Sequence, residues 1–215
     1  LSTKYDFIFF DVANTLLHKP SLFEKLSEAF ERHNYNYELS EIRNKHKLLS
    51  EVIKFPDKTS LEFYTFFNAE LCMSLGAIPS ESLLHDMFSN CSYLPWEPFD
   101  DVVALNKLEI PIGIISNWDE KLKSMLSSKI NIEFDPIIGS NYEGVCKPDI
   151  RIFENAWNKL GKDKKKILYV GDSIKLDMLP ALEIGWDVCL IDRDNLFSNF
   201  PFRTDSLMNL KTKLL

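Results

Sequence analysis

The sequence is poor in cysteine, with four in 215 residues. Cys72, Cys91, Cys146 and Cys189 have no metal-type spacing, which argues against a zinc module. Cys189 falls inside an apolar stretch and reads as core. Free thiols and a reducing, cytoplasmic setting are the expectation. Long apolar runs are missing too. No stretch has the length and hydropathy to cross a bilayer, and the start of the chain does not read as a signal peptide. Positive charge is in deficit: 25 Lys and Arg against 32 Asp and Glu leave a net charge of −7. That balance argues against a broad nucleic-acid footprint and against an anionic membrane surface. The densest basic run, Lys162 to Lys166, reads as a solvated turn before a strand. There is no internal repeat and no low-complexity tract. The length that remains suits one α/β domain with a modest insertion.

What is present is a recurring pattern. The run Tyr5-Asp6-Phe7-Ile8-Phe9-Phe10 ends on Asp11 and a polar turn, Val12-Ala13-Asn14-Thr15. Ile112-Gly113-Ile114-Ile115 delivers Ser116-Asn117. Ile167-Leu168-Tyr169-Val170 delivers Gly171-Asp172-Ser173, with Asp177 further along the same segment. Pro136 to Gly139 and Val188 to Ile191 complete the set. Short strands that are apolar on both faces mark a parallel sheet covered by helices. Residues at the carboxyl ends of such strands stand where open α/β sheets bind their ligands. Helices are predicted over Asp119 to Ser128, over Asp149 to Leu160 with Gly161 as C-cap, and over Ile174 to Gly185, where Pro180 implies a kink or an early stop. Lys147 precedes Pro148 just ahead of the second of these. Carboxylates, a hydroxyl and a lysine converging on one edge suit a divalent metal and a phosphoryl group.

Residues from about 20 to 97 interrupt the alternation and contain no clear strand. Ser21 and Glu24 have capping-box spacing, followed by Leu22, Leu26 and Phe30 at helical intervals. Helices are predicted over Ser21 to Asn34, Glu38 to Ile53, Thr59 to Leu75 and Ser80 to Cys91, with Pro56 and Pro79 as breakers. Phe63, Phe66 and Phe67 read as the core of this insertion, and Phe55, Tyr64 and Trp96 add to its aromatic content.

Four motifs in this order resemble the haloacid dehalogenase (HAD) superfamily: Asp11-Val12-Ala13-Asn14-Thr15, Ser116, Lys147-Pro148, and Gly171-Asp172 with Asp177. The resemblance runs over nearly the whole chain. It implies a doubly wound parallel sheet formed by residues 1–16 and 98–215, with an all-α cap domain at 17–97. It also implies a hydrolase, most simply a phosphatase acting on a small phosphorylated metabolite. Asp11 would be the nucleophile, forming an aspartyl-phosphate. Ser116 and Lys147 would complete the catalytic set by stabilising the transferring group. Mg²⁺ would sit on Asp11, the backbone carbonyl of Ala13, Asp172 and Asp177, oxygen ligands that suit a small hard cation. Asp177 has a second role open to it, the orientation of Lys147. Asn117, Thr15 and Trp118 are the remaining substrate-binding candidates, and Thr15 also suits the turn after Asp11.

One departure from the motif carries consequences. The family's phosphatases have a second Asp at the position of Ala13, which protonates the leaving alcohol and later activates water. Alanine can do neither, and such help is worth about 10²–10⁴-fold. His18 in the adjoining loop is a candidate substitute. Three other readings follow from the same residue. Haloacid dehalogenases also lack the second Asp, although they lack the Gly-Asp pattern seen at Gly171-Asp172. Phosphonoacetaldehyde hydrolase carries Ala there and uses a cap lysine, for which Lys54 is the candidate. The last is a non-catalytic interaction protein of the same fold.

Overall fold

A computed structural model of the chain describes residues 4–56, 60–161 and 166–213. Most of the Lys162 to Lys166 run and the predicted helix start at Thr59 lie outside the described residues. The chain divides into two compact units: Leu1–His18 with Glu97–Leu215, and Lys19–Trp96.

The first unit is a parallel sheet. Its strands are β1 (Phe7–Phe10), β4 (Ile112–Ser116), β5 (Ile137–Gly139), β6 (Ile167–Gly171), β7 (Asp187–Ile191) and β8 (Arg203–Thr204). They lie in the order β5-β4-β1-β6-β7-β8, and every pairing is parallel. A pair of two-residue strands, β2 (Leu17–His18) and β3 (Glu97–Pro98), runs antiparallel where the chain leaves and re-enters this unit. Neither β8 nor this pair has enough residues to show a period in the sequence.

The central strands are buried end to end, as their unbroken apolar runs require. On one face Phe9 stacks on Trp186 at 5.4 Å, and Trp186 meets Phe153 edge-on at 5.9 Å. Burial of each such ring contributes about 1.5–3 kcal/mol. Gly113 sits mid-strand because a Cβ there would strike the Pro136 carbonyl and the Phe9 ring.

Helices cover the sheet at Leu122–Lys129 and Ile150–Leu160. The second is capped by Asp149, which accepts from Arg151 N, and it ends on Gly161 at φ 58°, a left-handed position. The segment after Asp172 departs from the predicted single helix. It makes one wide π-helical turn, Ile174–Met178, and then a short α-helix, Leu179–Glu183. Pro180 sits in the first turn of that helix, where its missing N–H costs nothing.

Among its described residues the second unit has four helices, α1 (Leu22–Arg32), α2 (Leu39–Val52), α3 (Leu61–Ser74) and α4 (Glu81–Cys91). Leu26, Ala29 and Phe30 of α1 pack with Ile42, Leu71, Cys72, Leu83 and Met87. Ser60 and Ser80 cap α3 and α4 through their hydroxyls. The capping box expected at Ser21 does not form, because Ser21 (φ −88°, ψ 8°) has already turned from the extended conformation a cap needs. Phe66 is also corrected: it is 52% exposed, whereas Phe67 is buried. The buried face of α3 runs through Phe63, Phe67 and Leu71 at intervals of four residues. Phe66 stands about 100° round from Phe67, since an α-helix has 3.6 residues per turn.

All four cysteines are free. Among the described residues no helix is long and apolar enough to cross a membrane.

Candidate active site

Three parallel strands end side by side, and each carries one polar group past its last apolar residue. Asp11 follows β1, Ser116 closes β4, and Asp172 follows β6. Asp11 N donates to the Val170 carbonyl at 2.9 Å, which fixes the backbone at this edge. Ser116 Oγ donates to Asp11 Oδ1 at 2.9 Å, and Lys147 Nζ donates to the same oxygen at 2.6 Å.

Lys147 is the hub. Its ammonium also donates to Asp177 Oδ1 at 2.6 Å and to the Tyr169 hydroxyl at 3.2 Å. Tyr169 OH lies 2.9 Å from the Ile115 carbonyl and 3.1 Å from Asp177 Oδ1. The backbone of Lys147 is held by Asn117, whose Oδ1 accepts from Lys147 N at 2.7 Å and whose Nδ2 donates to Lys147 O at 3.0 Å. Asn117 therefore spends its amide on bracing the lysine, a use that no spacing rule reveals.

Asp177 reaches this hub because of two local features. The π-helical turn widens the helix start, and Ser173 N donates to Asp177 Oδ2 at 3.0 Å. Gly171 leaves the necessary space, since a Cβ there would collide with the Asp177 carboxylate. Both Asp177 oxygens are thus engaged by the protein, Oδ1 by Lys147 and Oδ2 by Ser173. That arrangement suits the orientation of Lys147 better than direct ligation.

Carboxylate oxygens of Asp11, Asp172 and Asp177 lie within 4.8 Å of one another. All three residues and Lys147 are buried. Burial opposes the Lys147 charge, but Asp11 and Asp177 outweigh it and raise its pKa. Burial pushes Asp177 up, to about 7; Lys147 pulls against this, while Asp11 and Asp172 add to it. Tyr169 is pushed well up by burial and by the same carboxylates. Three acids and one ammonium leave the cluster short of positive charge, and buried like charges repel strongly. An oxygen-rich, anionic donor set of this kind fits a hard divalent cation.

The turn after Asp11 is built on the backbone. The Val12 carbonyl accepts from the amides of Thr15, Leu16 and Leu17, and Asn14 adopts φ 57°. Thr15 is wholly buried, and its hydroxyl has no hydrogen-bond partner among the described residues. Its side chain therefore does not brace the turn, contrary to expectation. An unpaired buried hydroxyl costs about 1–3 kcal/mol unless water or a ligand oxygen satisfies it. Ala13 is half-buried in this turn and bridges to Leu17. Trp118 is half-buried, its backbone N–H donating to Ser140 Oγ at 3.1 Å. His18 lies flat against Phe99 at 3.9 Å. Lys54 belongs to the helical unit and is exposed.

One site member was missed by the sequence reading, Tyr169 as a partner of Lys147; Asn117 was named for substrate binding, and its bracing of the Lys147 backbone was not foreseen. Tyr169 gave no signal because its neighbours make it look like core.

Comparison with known proteins agrees with this geometry. A family model described as haloacid dehalogenase-like hydrolase matches residues 5–185. A (S)-2-haloacid dehalogenase from Pseudomonas fluorescens is 32% identical over 130 residues, 58% of this chain and 56% of that protein. A glyceraldehyde 3-phosphate phosphatase from Methanothermobacter thermautotrophicus is 25% identical over 162 residues, covering 69% and 68% respectively. The chain thus spans little more than half the length of the dehalogenase it matches. Among solved structures, the magnesium-bound HAD-hydrolase YfnB from Bacillus subtilis superposes with a TM-score of 0.65 over 98% of each chain at 18% identity, a likeness of fold. On the family match over residues 5–185, this chain belongs to the haloacid dehalogenase-like hydrolases.

Proposed function

We propose that the chain is a Mg²⁺-dependent phosphatase that works through an aspartyl-phosphate at Asp11. The observation that carries this reading is the cluster itself. Asp11, Asp172 and Asp177 gather within 4.8 Å, and Lys147 bonds two of them. Such a set supports the meeting of two anions, a carboxylate and a phosphate.

The Asp11 carboxylate would attack phosphorus, forming a P–O bond as the bond to the leaving group breaks. Ser116 Oγ and Lys147 Nζ, both on Asp11 Oδ1, would donate to oxygens of the transferring group where negative charge is greatest. Asp177 and Tyr169 would hold the ammonium in place for that task. Asp11, Asp172 and the Ala13 carbonyl would ligate Mg²⁺. The metal, when bound, would screen the nucleophile from the phosphate dianion. Water would then hydrolyse the aspartyl-phosphate.

Ala13 defines the substrate class. With no carboxyl group there, an expelled alkoxide finds no positioned proton. Acyl and aryl phosphates, whose leaving groups need little protonation, suit the site better than alkyl phosphates. We assign substrate choice to the helical unit, which would act as a cap, and the setting to the cytoplasm.

One observation favours a second reading. Halide needs no proton to leave, so a nucleophile without an acid partner also suits carbon–halogen cleavage, as the name of the Pseudomonas relative suggests for that enzyme. A panel of acetyl phosphate, p-nitrophenyl phosphate, glycerol phosphate and 2-chloropropionate, with and without Mg²⁺, separates the readings. Mg²⁺-dependent phosphate release from the first two is expected. Chloride release alone would establish the second reading, and no turnover of any compound would leave a non-catalytic protein of this fold.

A further inference from the structure

Beyond residue 185, where the family match ends, a charged side chain reaches back to the turn that follows Asp11. Asp192 is buried just past β7 and accepts from Leu196 N at 2.8 Å and Phe197 N at 2.9 Å, so the backbone of the next residue is fixed. That residue is Arg193. Its guanidinium grips Asp101 with two nitrogens, Nη1 to Oδ2 at 2.8 Å and Nη2 to Oδ1 at 3.1 Å. Nη2 also donates to the Thr15 carbonyl at 2.9 Å. Arg193 Cζ lies over the Phe99 ring, 3.7 Å from its centre, and His18 stacks on that ring at 3.9 Å, 11° from parallel.

Asp101 is itself held. It accepts from Ser206 Oγ at 2.8 Å and from Leu207 N at 2.9 Å. One side chain thus joins the turn after Asp11, the β2–β3 pair and the C-terminal segment. Within the turn the amides of Thr15, Leu16 and Leu17 donate to Val12 O and that of Asn14 donates to Leu17 O, while the Thr15 carbonyl accepts from Arg193. A second tie, Phe99 N to Leu16 O at 3.0 Å, runs through the same stacked ring residue.

We propose that Arg193 is a positioning residue for the reaction, acting through the Thr15 carbonyl and Phe99 to hold the turn at Val12–Leu17, and with it the Ala13 carbonyl, in working register beside Asp11. The proposal rests on the phosphatase reading for its catalytic part. The planar, bidentate guanidinium is what the role requires. A lysine ammonium is a point donor that can satisfy Asp101 or Thr15 but does not stack flat on a ring in the same way.

The test compares Arg193→Lys and Arg193→Ala with Lys159→Met. The last removes an ion pair that touches neither Asp192 nor Asp101, Lys159 with Glu143. Amide hydrogen exchange is read in peptides covering residues 10–18 and 167–171, and kcat and KM are measured with p-nitrophenyl phosphate. In Arg193→Lys the first peptide should exchange roughly tenfold faster, the loss of one charge-assisted bond, while the second is unchanged. Its kcat should fall by up to about 10²-fold with KM nearly constant, the signature of misplaced reacting groups. Lys159→Met should show neither effect. If Arg193→Ala does not fold, the lysine variant alone decides. Unchanged exchange in residues 10–18 overturns the clamp. Faster exchange with wild-type kcat reduces Arg193 to a structural role and overturns the catalytic part. If the unaltered protein hydrolyses no phosphate ester at all, the phosphatase reading fails, and the exchange comparison still decides whether Arg193 holds the turn.

Discussion

Lys147 and Asp177 form a buried ion pair, Nζ to Oδ1 at 2.6 Å, with side chains 3% and 1% exposed. Thirty residues separate them in sequence: Lys147 lies in the turn before Pro148, and Asp177 in the π-helical segment after β6. The pair suits Asp177 to orienting the ammonium, while its carboxylate also lies within 4.8 Å of those of Asp11 and Asp172. It also makes the site's stability depend on a single cation.

Lys147→Met should therefore be costly. Removing one partner of a buried pair leaves the other charge uncompensated, at about 3–5 kcal/mol. Here Asp11, Asp172 and Asp177 would all remain. Urea denaturation at neutral pH should show a loss of this size, and saturating Mg²⁺ should recover part of it by supplying the missing positive charge. A variant as stable as the parent would mean that the carboxylates do not need Lys147.

Gly171→Ala should harm the site through sterics alone. The added Cβ meets the Asp177 carboxylate. Overpacking of this kind costs about 1–3 kcal/mol, and displacement of Asp177 should loosen Lys147 and lower kcat. The thermal midpoint together with kcat for p-nitrophenyl phosphate checks both effects.

The fold was readable from sequence because its strands are buried on both faces. Five short apolar runs announced five of the six strands of the described sheet, and three of them, leading to Asp11, Ser116 and Asp172, placed those residues at one edge. β8, two residues long, left no pattern. The supports of the site were not readable for a different reason. Tyr169 looks like any aromatic core residue, and its hydroxyl matters only through contact with a lysine 22 positions earlier. Arg193 looks like a surface charge in a loop; its bond to the Thr15 carbonyl spans 178 positions. Long-range polar contacts have no period, so no local rule reveals them. Phe66 failed for a simpler reason: Phe63, Phe66 and Phe67 have the spacing of one helix face, but the buried face of α3 is centred on Phe67, Leu71 and Cys72, and Phe66 stands beyond its edge.

His46 should make the helical unit sensitive to acid. Its ring packs between Phe23 and Phe67. Burial, reinforced by the positive charges of Lys47 and Lys19, lowers its pKa from 6.5 to about 4. As pH falls the unfolded chain takes up the proton first, so the stability contributed by neutral His46 is complete above about 6.5 and is lost as pH approaches 4. The ring is partly exposed, so the loss is at most roughly 3 kcal/mol. Hydrogen exchange in residues 39–52 between pH 7 and 4 should show it, and His46→Phe should flatten the dependence.

Ala13→Asp should restore the missing proton donor. Turnover of glycerol phosphate should rise by up to about 10²–10⁴-fold, with much less gain for acetyl or aryl phosphates. A folded variant that still binds Mg²⁺ yet gains nothing on any alkyl phosphate would show that residue 13 is not where a catalyst is lacking.

If Asp11 is the nucleophile, it carries the phosphoryl group midway through the reaction, and that species can be trapped. The protein is mixed with Mg²⁺ and acetyl phosphate, quenched in acid within milliseconds to seconds, digested, and examined by mass spectrometry. The absence of an acid–base carboxylate at residue 13 should slow hydrolysis of the intermediate and let it accumulate. The account predicts a phosphoryl adduct on the peptide containing Asp11, dependent on Mg²⁺ and lost in Asp11→Asn. Phosphate release by the active protein with no adduct on that peptide, or with an adduct on another residue, would contradict it.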